Sequence, residues 1–261
     1  MMRPLLGVAA SLLMLFSLTP LAKAQNQADA YYPPAEMEAA REALREGAGG
    51  QRLFFLQTDR LEYQSRRDDE EIALWDVNAW YGGRINRVWV KSEAEYELEA
   101  GAFEEAELQV LFSRAITPYF DFQAGIRQDF EPDPMRTHAV LGIQGLAPYW
   151  FEVDGAVFLS DEGELTGQLE TEYELLLTQR LILQPRAEIS WSAEDIPELE
   201  IGSGLNNAEI GLRLRYELRR EFAPYLGVEW SRSFGSTADY VTAAGGRTED
   251  TALVAGLRIW F

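Results

Sequence analysis

The end of the chain constrains the fold most. Residues 248–261 read Thr-Glu-Asp-Thr-Ala-Leu-Val-Ala-Gly-Leu-Arg-Ile-Trp-Phe, with Leu257 and Ile259 in the strand phase of the terminal Phe261 and Arg258 in the other phase. A strand in lipid needs one apolar face, and its backbone groups must all be paired within the protein. The pattern predicts the closing strand of an outer-membrane β-barrel. An edge strand of a soluble sandwich is the alternative.

The beginning of the chain looks like an export signal. Arg3 precedes an apolar run over residues 5–18 and the small-x-small triplet 22–24, which predicts a signal peptide over residues 1–24. Its removal takes away two basic residues and no acid, so the mature charge is 21 − 43 = −22. Nucleic acid is not an expected partner, because phosphate binding requires Lys and Arg. The absence of cysteine from the sequence excludes disulfides and thiolate metal sites.

Residues 25–50 show no strand pattern. Pro34 near the start and Gly47 past the end suit a short helix, whose weak apolar stripe includes Met37 and Leu44. We predict a periplasmic arm here, flexible or forming a short helix. A plug or docking arm is the alternative.

The remainder, residues 51–261, alternates polar and apolar residues with the two-residue period of strands. About twelve strands can be counted. Short connections such as 81–84 and 147–149 alternate with longer polar ones such as 130–136, 192–205 and 235–247, an asymmetry typical of bacterial barrels. The prediction is an all-β fold, a transmembrane antiparallel up-and-down β-barrel of about twelve strands. We expect it in the bacterial outer membrane, in contact with outer-membrane lipid, with both termini periplasmic.

Three long runs of sequence carry a family resemblance. Residues 142–154, 172–186 and 202–231 resemble the core signatures of the copper resistance protein B family, and similarity extends from about Trp75 to Phe261. The resemblance implies an outer-membrane barrel that serves copper resistance alongside periplasmic copper-binding proteins. It also makes a copper ion the expected ligand.

One feature of that family is reduced here. Its members commonly carry a Met- and His-rich segment before the barrel, and thioether and imidazole groups suit copper. The mature chain offers Met37, Met135 and His138 alone. Met135 and His138 are the candidate metal ligands, although residues three apart in a strand lie on opposite faces, so only an irregular loop would bring them together. An ordinary loop Met and a rim His are the alternative.

Strand phase predicts an acidic lumen. The expected lumen-lining acids are Glu93, Glu95, Glu97, Glu105, Glu107, Glu152, Asp154, Glu170, Glu172, Glu174, Glu188 and Glu209. Rings of carboxylates favour cations. The inward basic residues are Arg127, Arg186, Arg213 and Arg215, and ion pairs that fill the barrel are the alternative to a cation path. Both arrangements are compatible at different heights of a twelve-stranded barrel.

The function expected from these features is copper homeostasis or resistance, with a lumen that binds or passes copper ions. A passive channel for small cations or other solutes is the first alternative, and a structural or docking barrel is the second. An enzyme is not expected. A lipid hydrolase of this size needs a Ser nucleophile and a His base facing lipid, and the phase of His138 places it on the lumen side.

Overall fold

The structure is a computed structural model that describes residues 31–44, 46–47, 50–67 and 70–261. The chain divides into two compact units, residues 1–51 and residues 52–261. The predicted signal peptide lies outside the described residues, as do residues 25–30 of the predicted arm. In the first unit, helix α1 spans Pro34–Leu44, and none of its residues is buried. Within the described residues, no helix is both long and apolar enough to cross a membrane.

The second unit is a closed antiparallel barrel. Its strands are β1 Leu53–Ser65, β2 Glu71–Gly82, β3 Asn86–Glu97, β4 Ala102–Ala115, β5 Phe120–Glu131, β6 Arg136–Ala147, β7 Phe151–Ser160, β8 Leu165–Glu172, β9 Leu175–Leu176, β10 Leu181–Ser192, β11 Gly204–Tyr216, β12 Phe222–Ser233 and β13 Glu249–Trp260. The short β9 continues β8 along the same partner strand, β10. The thirteen strands therefore occupy twelve strand positions around the barrel. Pairing of β13 with β1 and of β10 with β11 closes the sheet. The predicted twelve-stranded barrel is confirmed.

The two faces of the strands differ as the alternation predicts. In β13 the outward Leu253 is 65% exposed, whereas the adjacent inward Val254 is 3% exposed. In β12 the outward Leu226 is 68% exposed. These exposed apolar side chains form a continuous outward band. Such a band suits contact with lipid, because exposing apolar surface to hydrocarbon does not carry the free-energy cost of exposing it to water.

The barrel has two dissimilar rims. The terminal rim, where β1 begins and β13 ends, carries the turns 83–85, 116–119, 148–150, 177–180 and 217–221. The distal rim carries the connections 66–70, 98–101, 132–135, 161–164, 193–203 and 234–248. Only the last two are long. The expectation of a long loop between β5 and β6 was wrong, because strand pairing continues to Glu131 and resumes at Arg136.

Exposed aromatic side chains mark both rims. At the terminal rim they include Phe54, Tyr81, Tyr119, Tyr149, Trp150 and Phe261, and at the distal rim Tyr63, Phe103 and Phe130. Aromatic rings concentrate at membrane–water interfaces because they have an apolar body and a polar or polarisable edge. The two belts therefore delimit the membrane-spanning part of the wall.

The two long distal loops pack together. Helix α2, Gly235–Ala243, lies in the loop 234–248, and the backbone N–H of Gly202 in the loop 193–203 donates to Thr237 Oγ1 at 2.8 Å. Ile196, in the middle of the loop 193–203, is only 3% exposed. The sequence did not predict α2. We refer to the loops 193–203 and 234–248 together as the distal cap.

Candidate functional site: an acidic, ion-paired lumen

The predicted lumen acids occupy inward positions on neighbouring strands. Register places Glu93 opposite Glu107 and Glu95 opposite Glu105 in the β3–β4 pair. Like charges directly opposite each other in a sheet are destabilising. Cationic side chains must therefore lie among them.

Arginines supply most of those cations. Arg60, which is 5% exposed, contacts both Asp76, at 3.4 Å, and Glu93. Arg66 contacts Glu95 at 2.8 Å. The predicted lumen residue Arg127 contacts Glu107 at 2.7 Å and Asp129 at 2.6 Å.

Arg186 is the centre of a second acidic group. Its guanidinium contacts Glu170 at 3.1 Å, Glu209 at 3.4 Å and Glu188. The Arg186 side chain is 3% exposed, so this charge is held away from bulk water. Three carboxylates around one guanidinium leave a net negative charge inside the wall.

A third group is built around Arg213. Its Nε and one terminal nitrogen contact Glu62 at 2.5 and 3.0 Å, and the same terminal nitrogen contacts Glu229 at 2.6 Å. The side chains of Arg213, Glu62 and Glu229 are 2%, 0% and 9% exposed. A side chain at position 211 would displace this guanidinium, since a Cβ there would lie 2.2 Å from the other terminal nitrogen of Arg213.

Several ion pairs reach across the lumen. Lys91 of β3 contacts Asp154 of β7, four strands away. Arg258 of β13 contacts Glu172 of β8, also four strands away, at 3.4 Å. These contacts, with the β1–β11 contact of Glu62, mean that charged side chains bridge strands three or four positions apart and fill part of the interior.

Other predicted residues complete the pairing near the terminal rim. Glu174 lies between β8 and β9 and contacts Arg215 at 2.6 Å and Arg258 at 2.9 Å. Arg215 also reaches Glu217 at 4.0 Å. All four predicted basic residues therefore contact carboxylates.

Three of the predicted acids have no ion pair within 4.0 Å in the part of the chain that the structure describes. These are Glu97, Glu105 and Glu152. Glu105 is exposed in the distal half of β4, and Glu152 is exposed where β7 leaves the terminal rim. Each mouth of the lumen thus presents an inward carboxylate without a bound cationic side chain.

A small cavity lies among the paired acids. It has a volume of about 70 Å³, and its lining includes Asp76, Glu93, Glu107, Asp154 and Glu170, with Lys91 as the one lining cation. Polar space of this size holds a few water molecules. We call this cavity the acidic chamber. It can accommodate a small hydrated cation near several carboxylates.

Met135 and His138 lie in different surroundings. Met135 is 59% exposed in the turn 132–135, whereas His138 is 6% exposed in the lumen wall. The His138 Nε2 lies 2.9 Å from Asp129 Oδ2, and its Nδ1 is buried with no hydrogen-bond partner among the described residues. Across the same residues, no three His, Cys, Asp or Glu side chains are grouped so as to hold a metal ion.

Sequence reasoning missed several lumen residues. Arg60 was missed because the β1 register shifts between Thr58 and Arg60, which changes the strand phase. Lys91 and Arg258 had the inward phase and could have been found from it. The partners Glu62 and Glu229 were not distinguishable from other acids before the closure of the barrel was known.

The lumen wall is also more apolar than predicted. Phe55, Trp80, Trp89 and Trp260 form a row of inward rings on four adjacent strands, with centroid separations of 5.8 to 6.2 Å. Arg87 lies 4.8 Å from the centroid of Trp80. The expectation of a polar interior needs this correction: aromatic rings occupy one arc of the wall towards the terminal rim. The sequence contained a signal for this row of rings, because Trp89 has the same strand phase as the inward Lys91.

The distal cap is joined to the wall by an ion-pair latch. Arg136 contacts Glu164 at 3.1 Å in one turn and Glu198 at 2.8 Å in the cap. Burial raises the pKa of Glu164, but hydrogen bonds donated by Arg136 and the Ser160 hydroxyl outweigh it and lower that pKa below its ordinary value. Glu164 is therefore held ionised, which maintains its contact with Arg136.

Comparison with known proteins gives two kinds of match. A family model described as Copper resistance protein B precursor matches residues 52–261. Copper resistance protein B of Escherichia coli is 45% identical over 208 residues, covering 80% of this chain and 69% of that protein. A copper resistance protein B homolog of Pseudomonas syringae pv. tomato is 44% identical over 203 residues, covering 78% and 68%.

Among solved structures, the NanC porin aligns with a TM-score of 0.51 over 79% of this chain and 99% of that chain. The sequence identity is 8%, so this likeness concerns the fold alone. It agrees with a closed antiparallel barrel.

Proposed function

Because the chain belongs to the copper resistance protein B family, an outer-membrane barrel with a role in copper resistance, we propose that its lumen binds copper ions or passes them across the membrane. The family membership rests on the match over residues 52–261 and on the two relatives above 40% identity. The acidic chamber is the observation within the barrel that carries the finer proposal. Five carboxylates and a single lysine line it.

The charge balance of the lumen favours a bound cation. Arg60 contacts two carboxylates and Arg186 contacts three. Glu105 and Glu152 have no ion pair among the described residues. Carboxylates that outnumber the cations near them raise one another's energy unless a further cation lies among them. A hydrated copper ion would supply that charge without displacing the existing pairs.

The proposed route has acids at both mouths. Exposed acids also crowd the distal loops: Glu99, Asp133, Asp161, Glu162, Glu194, Asp195 and Glu200. Like-signed charges around a mouth raise the local concentration of the opposite ion. Copper ions would concentrate at the distal rim, meet Glu105 and reach the acidic chamber. His138, with its buried Nδ1, is the proposed imidazole ligand along this wall, and Met135 is a proposed thioether contact at the distal rim.

Growth of a deletion strain across a series of copper concentrations tests this proposal. The informative variants are Asp76→Asn and Glu188→Gln, because each removes an acid while its arginine keeps another carboxylate. Glu38→Gln, on the exposed helix α1 of the first unit, is the matched control. We expect the first two to lose copper tolerance at normal membrane levels and the control to retain it. Full tolerance in both of these lumen-acid variants would overturn the proposal.

A passive channel without copper specificity is the second candidate. Carboxylates are hard ligands and discriminate poorly among divalent ions, whereas the mature sequence provides few Met and His residues. Equal flux of copper, magnesium and calcium ions through the purified barrel would favour this candidate. A structural or docking barrel is the third, and the ion pairs that bridge the lumen, such as Lys91–Asp154, support it. No ion flux and no copper binding would leave that one standing.

Orientation and partners belong to the same proposal. We propose that the terminal rim faces the periplasm, because its turns are uniformly short while the two long loops lie at the distal rim. Cleavage of the loop 193–203 by protease added to intact cells tests this orientation. Periplasmic copper-binding proteins are the proposed partners, supported by the family membership. Outer-membrane lipid is the proposed surrounding of the outward apolar band.

We propose that the barrel is not an enzyme. The single histidine, His138, is 6% exposed and points into the lumen wall, where Asp129 holds its Nε2. A lipid hydrolase of the Ser–His type needs its base on the lipid-facing surface. Lipid hydrolysis in detergent that is lost in His138→Ala would overturn this.

A further inference from the structure

The outer surface at the terminal rim carries four exposed arginines. They are Arg84 in the turn 83–85, Arg114 at the end of β4, Arg180 in the turn 177–180 and Arg219 in the turn 217–221. We call them the arginine rim. Their side chains make no hydrogen bond or ion pair with any residue that the structure describes. By contrast, Arg66, Arg136 and Arg232 at the distal rim all contact carboxylates.

The arginine rim has little acid nearby to neutralise it. The five terminal-rim turns contain only Glu217 and Glu221 as acidic residues, and Glu217 is within 4.0 Å of Arg215. Among the described residues, four exposed arginines without an ion pair lie at this level of a chain of net charge −20, whereas at the distal rim Arg67 is the exposed arginine without one. Such a concentration selects an anionic partner.

The arginines form two patches, each held in place by its surroundings. Arg114 pairs in register with Asn86, so it lies beside the turn of Arg84. The carbonyl of Arg180 accepts from the N–H of Glu217 at 2.8 Å, which joins its turn to that of Arg219.

Backbone contacts also anchor the second patch. The indole N–H of Trp260 donates to the Arg220 carbonyl at 2.7 Å. The Thr178 hydroxyl accepts from the backbone N–H of Arg180 at 3.2 Å. The patches therefore have defined positions.

Apolar side chains flank both patches at the same height. Ile85 and Tyr119, 57% and 59% exposed, lie beside the first patch, and Leu176 and Leu218, 63% and 54% exposed, lie beside the second. Arg114 itself has the outward phase of Phe112, which is 51% exposed. An acidic soluble protein would approach along the barrel axis, whereas these guanidiniums lie at the edge of the lipid-facing band. That is the level of phospholipid head groups.

We propose that the arginine rim binds the phosphate groups of anionic glycerophospholipids. The planar guanidinium donates paired hydrogen bonds to phosphate oxygens, and basic residues near a membrane surface attract anionic lipid. Binding at two patches on different arcs fixes the depth and tilt of the barrel. This lipid site is independent of the copper proposal.

Phosphatidylglycerol is the probe for this site. The purified full-length barrel is reconstituted with phosphatidylcholine and increasing phosphatidylglycerol, and retained lipid is counted by native mass spectrometry. We expect wild type to retain phosphatidylglycerol preferentially. The variants Arg84→Gln/Arg114→Gln and Arg180→Gln/Arg219→Gln should each weaken that preference, by about five-fold for each arginine removed. Added salt should weaken it in wild type too, because exposed charges are screened.

Arg232→Gln at the distal rim is the matched control, since Arg232 is 51% exposed. The proposal is overturned if wild type shows no preference for phosphatidylglycerol, or if the patch variants keep that preference. It is also overturned if Arg232→Gln removes as much of the preference as the patch variants do. Lipid A in place of phosphatidylglycerol provides the second arm. Stronger retention of lipid A than of phosphatidylglycerol would reject the proposal. Binding of an acidic protein with no preference among lipids would also reject it, because the arginines would then have a different partner.

Discussion

Replacement of Glu62 by Gln tests whether buried ion pairs hold the lumen together. Glu62 has a fully buried side chain and accepts two of the three hydrogen bonds that Arg213 makes. Breaking a buried ion pair by removing one partner costs roughly 3–5 kcal/mol, because the remaining charge stays out of water. Arg213 would keep Glu229, and the Gln carbonyl can still accept one hydrogen bond. We therefore expect a loss of about 3 kcal/mol, at the lower end of that range.

Urea unfolding of the barrel in phospholipid vesicles, followed by tryptophan fluorescence, measures this loss. With a denaturant slope of about 2 kcal/mol per molar urea, the midpoint should fall by about 1.5 M. Glu105→Gln is the matched control. It makes the same chemical change at an exposed inward acid that has no ion pair among the described residues, so it should cost under about 0.5 kcal/mol.

A second variant separates ion pairing from packing. Glu62→Met combined with Arg213→Met removes both charges at similar volume, and such replacements are often neutral or stabilising. We expect the double variant to recover much of the stability that Glu62→Gln loses. The reasoning is refuted if Glu62→Gln unfolds at the same midpoint as Glu105→Gln, or if the double variant is less stable than Glu62→Gln.

Two further predictions concern the latch and the closing strand. Because folding lowers the pKa of Glu164, the ionised carboxylate stabilises the folded barrel fully above the ordinary pKa of 4.5. This contribution to stability is lost as the pH falls through the lower pKa of the folded state. Glu164→Gln should therefore lose less thermal stability on acidification than wild type. Identical pH dependence in the two proteins would contradict this. Leu257→Asp with Ile259→Asp should reduce insertion into the outer membrane, because charge on the lipid-facing side of β13 is costly, whereas the matched double Ala variant should insert. Folded, heat-modifiable protein at wild-type levels in the Asp variant would contradict it.

The sequence was sufficient for the strands because one physical constraint repeats along them. Lipid on one side and a polar lumen on the other impose a period of two, which fixed the outward phase of residues such as Leu253 and Ile259. The distal cap was not predictable in the same way. Its loops carry no repeating pattern, and α2 is held through contacts such as Gly202–Thr237 that join residues 35 positions apart.

The composition of the lumen was predictable, but its pairing was not. Phase alone placed acids such as Glu170 and Glu188 on the inner wall. That Arg186 joins them, or that Lys91 crosses to Asp154, depends on the closure and stagger of the whole barrel. The row containing Trp80 and Trp89 was not predicted, although large inward side chains also fill a barrel of this size.

Copper flux through the purified barrel tests the central proposal most directly. Wild-type protein in liposomes is compared with Asp76→Asn/Glu188→Gln and with the Glu38→Gln control, using an internal copper-sensitive dye and, in parallel, magnesium and calcium indicators. We expect copper entry through wild type and the control, and a clear reduction in the double variant when equal amounts of folded barrel are compared. Copper entry that is unaffected by loss of both lumen acids, or no entry and no copper binding in wild type, would contradict a lumen that binds or passes copper.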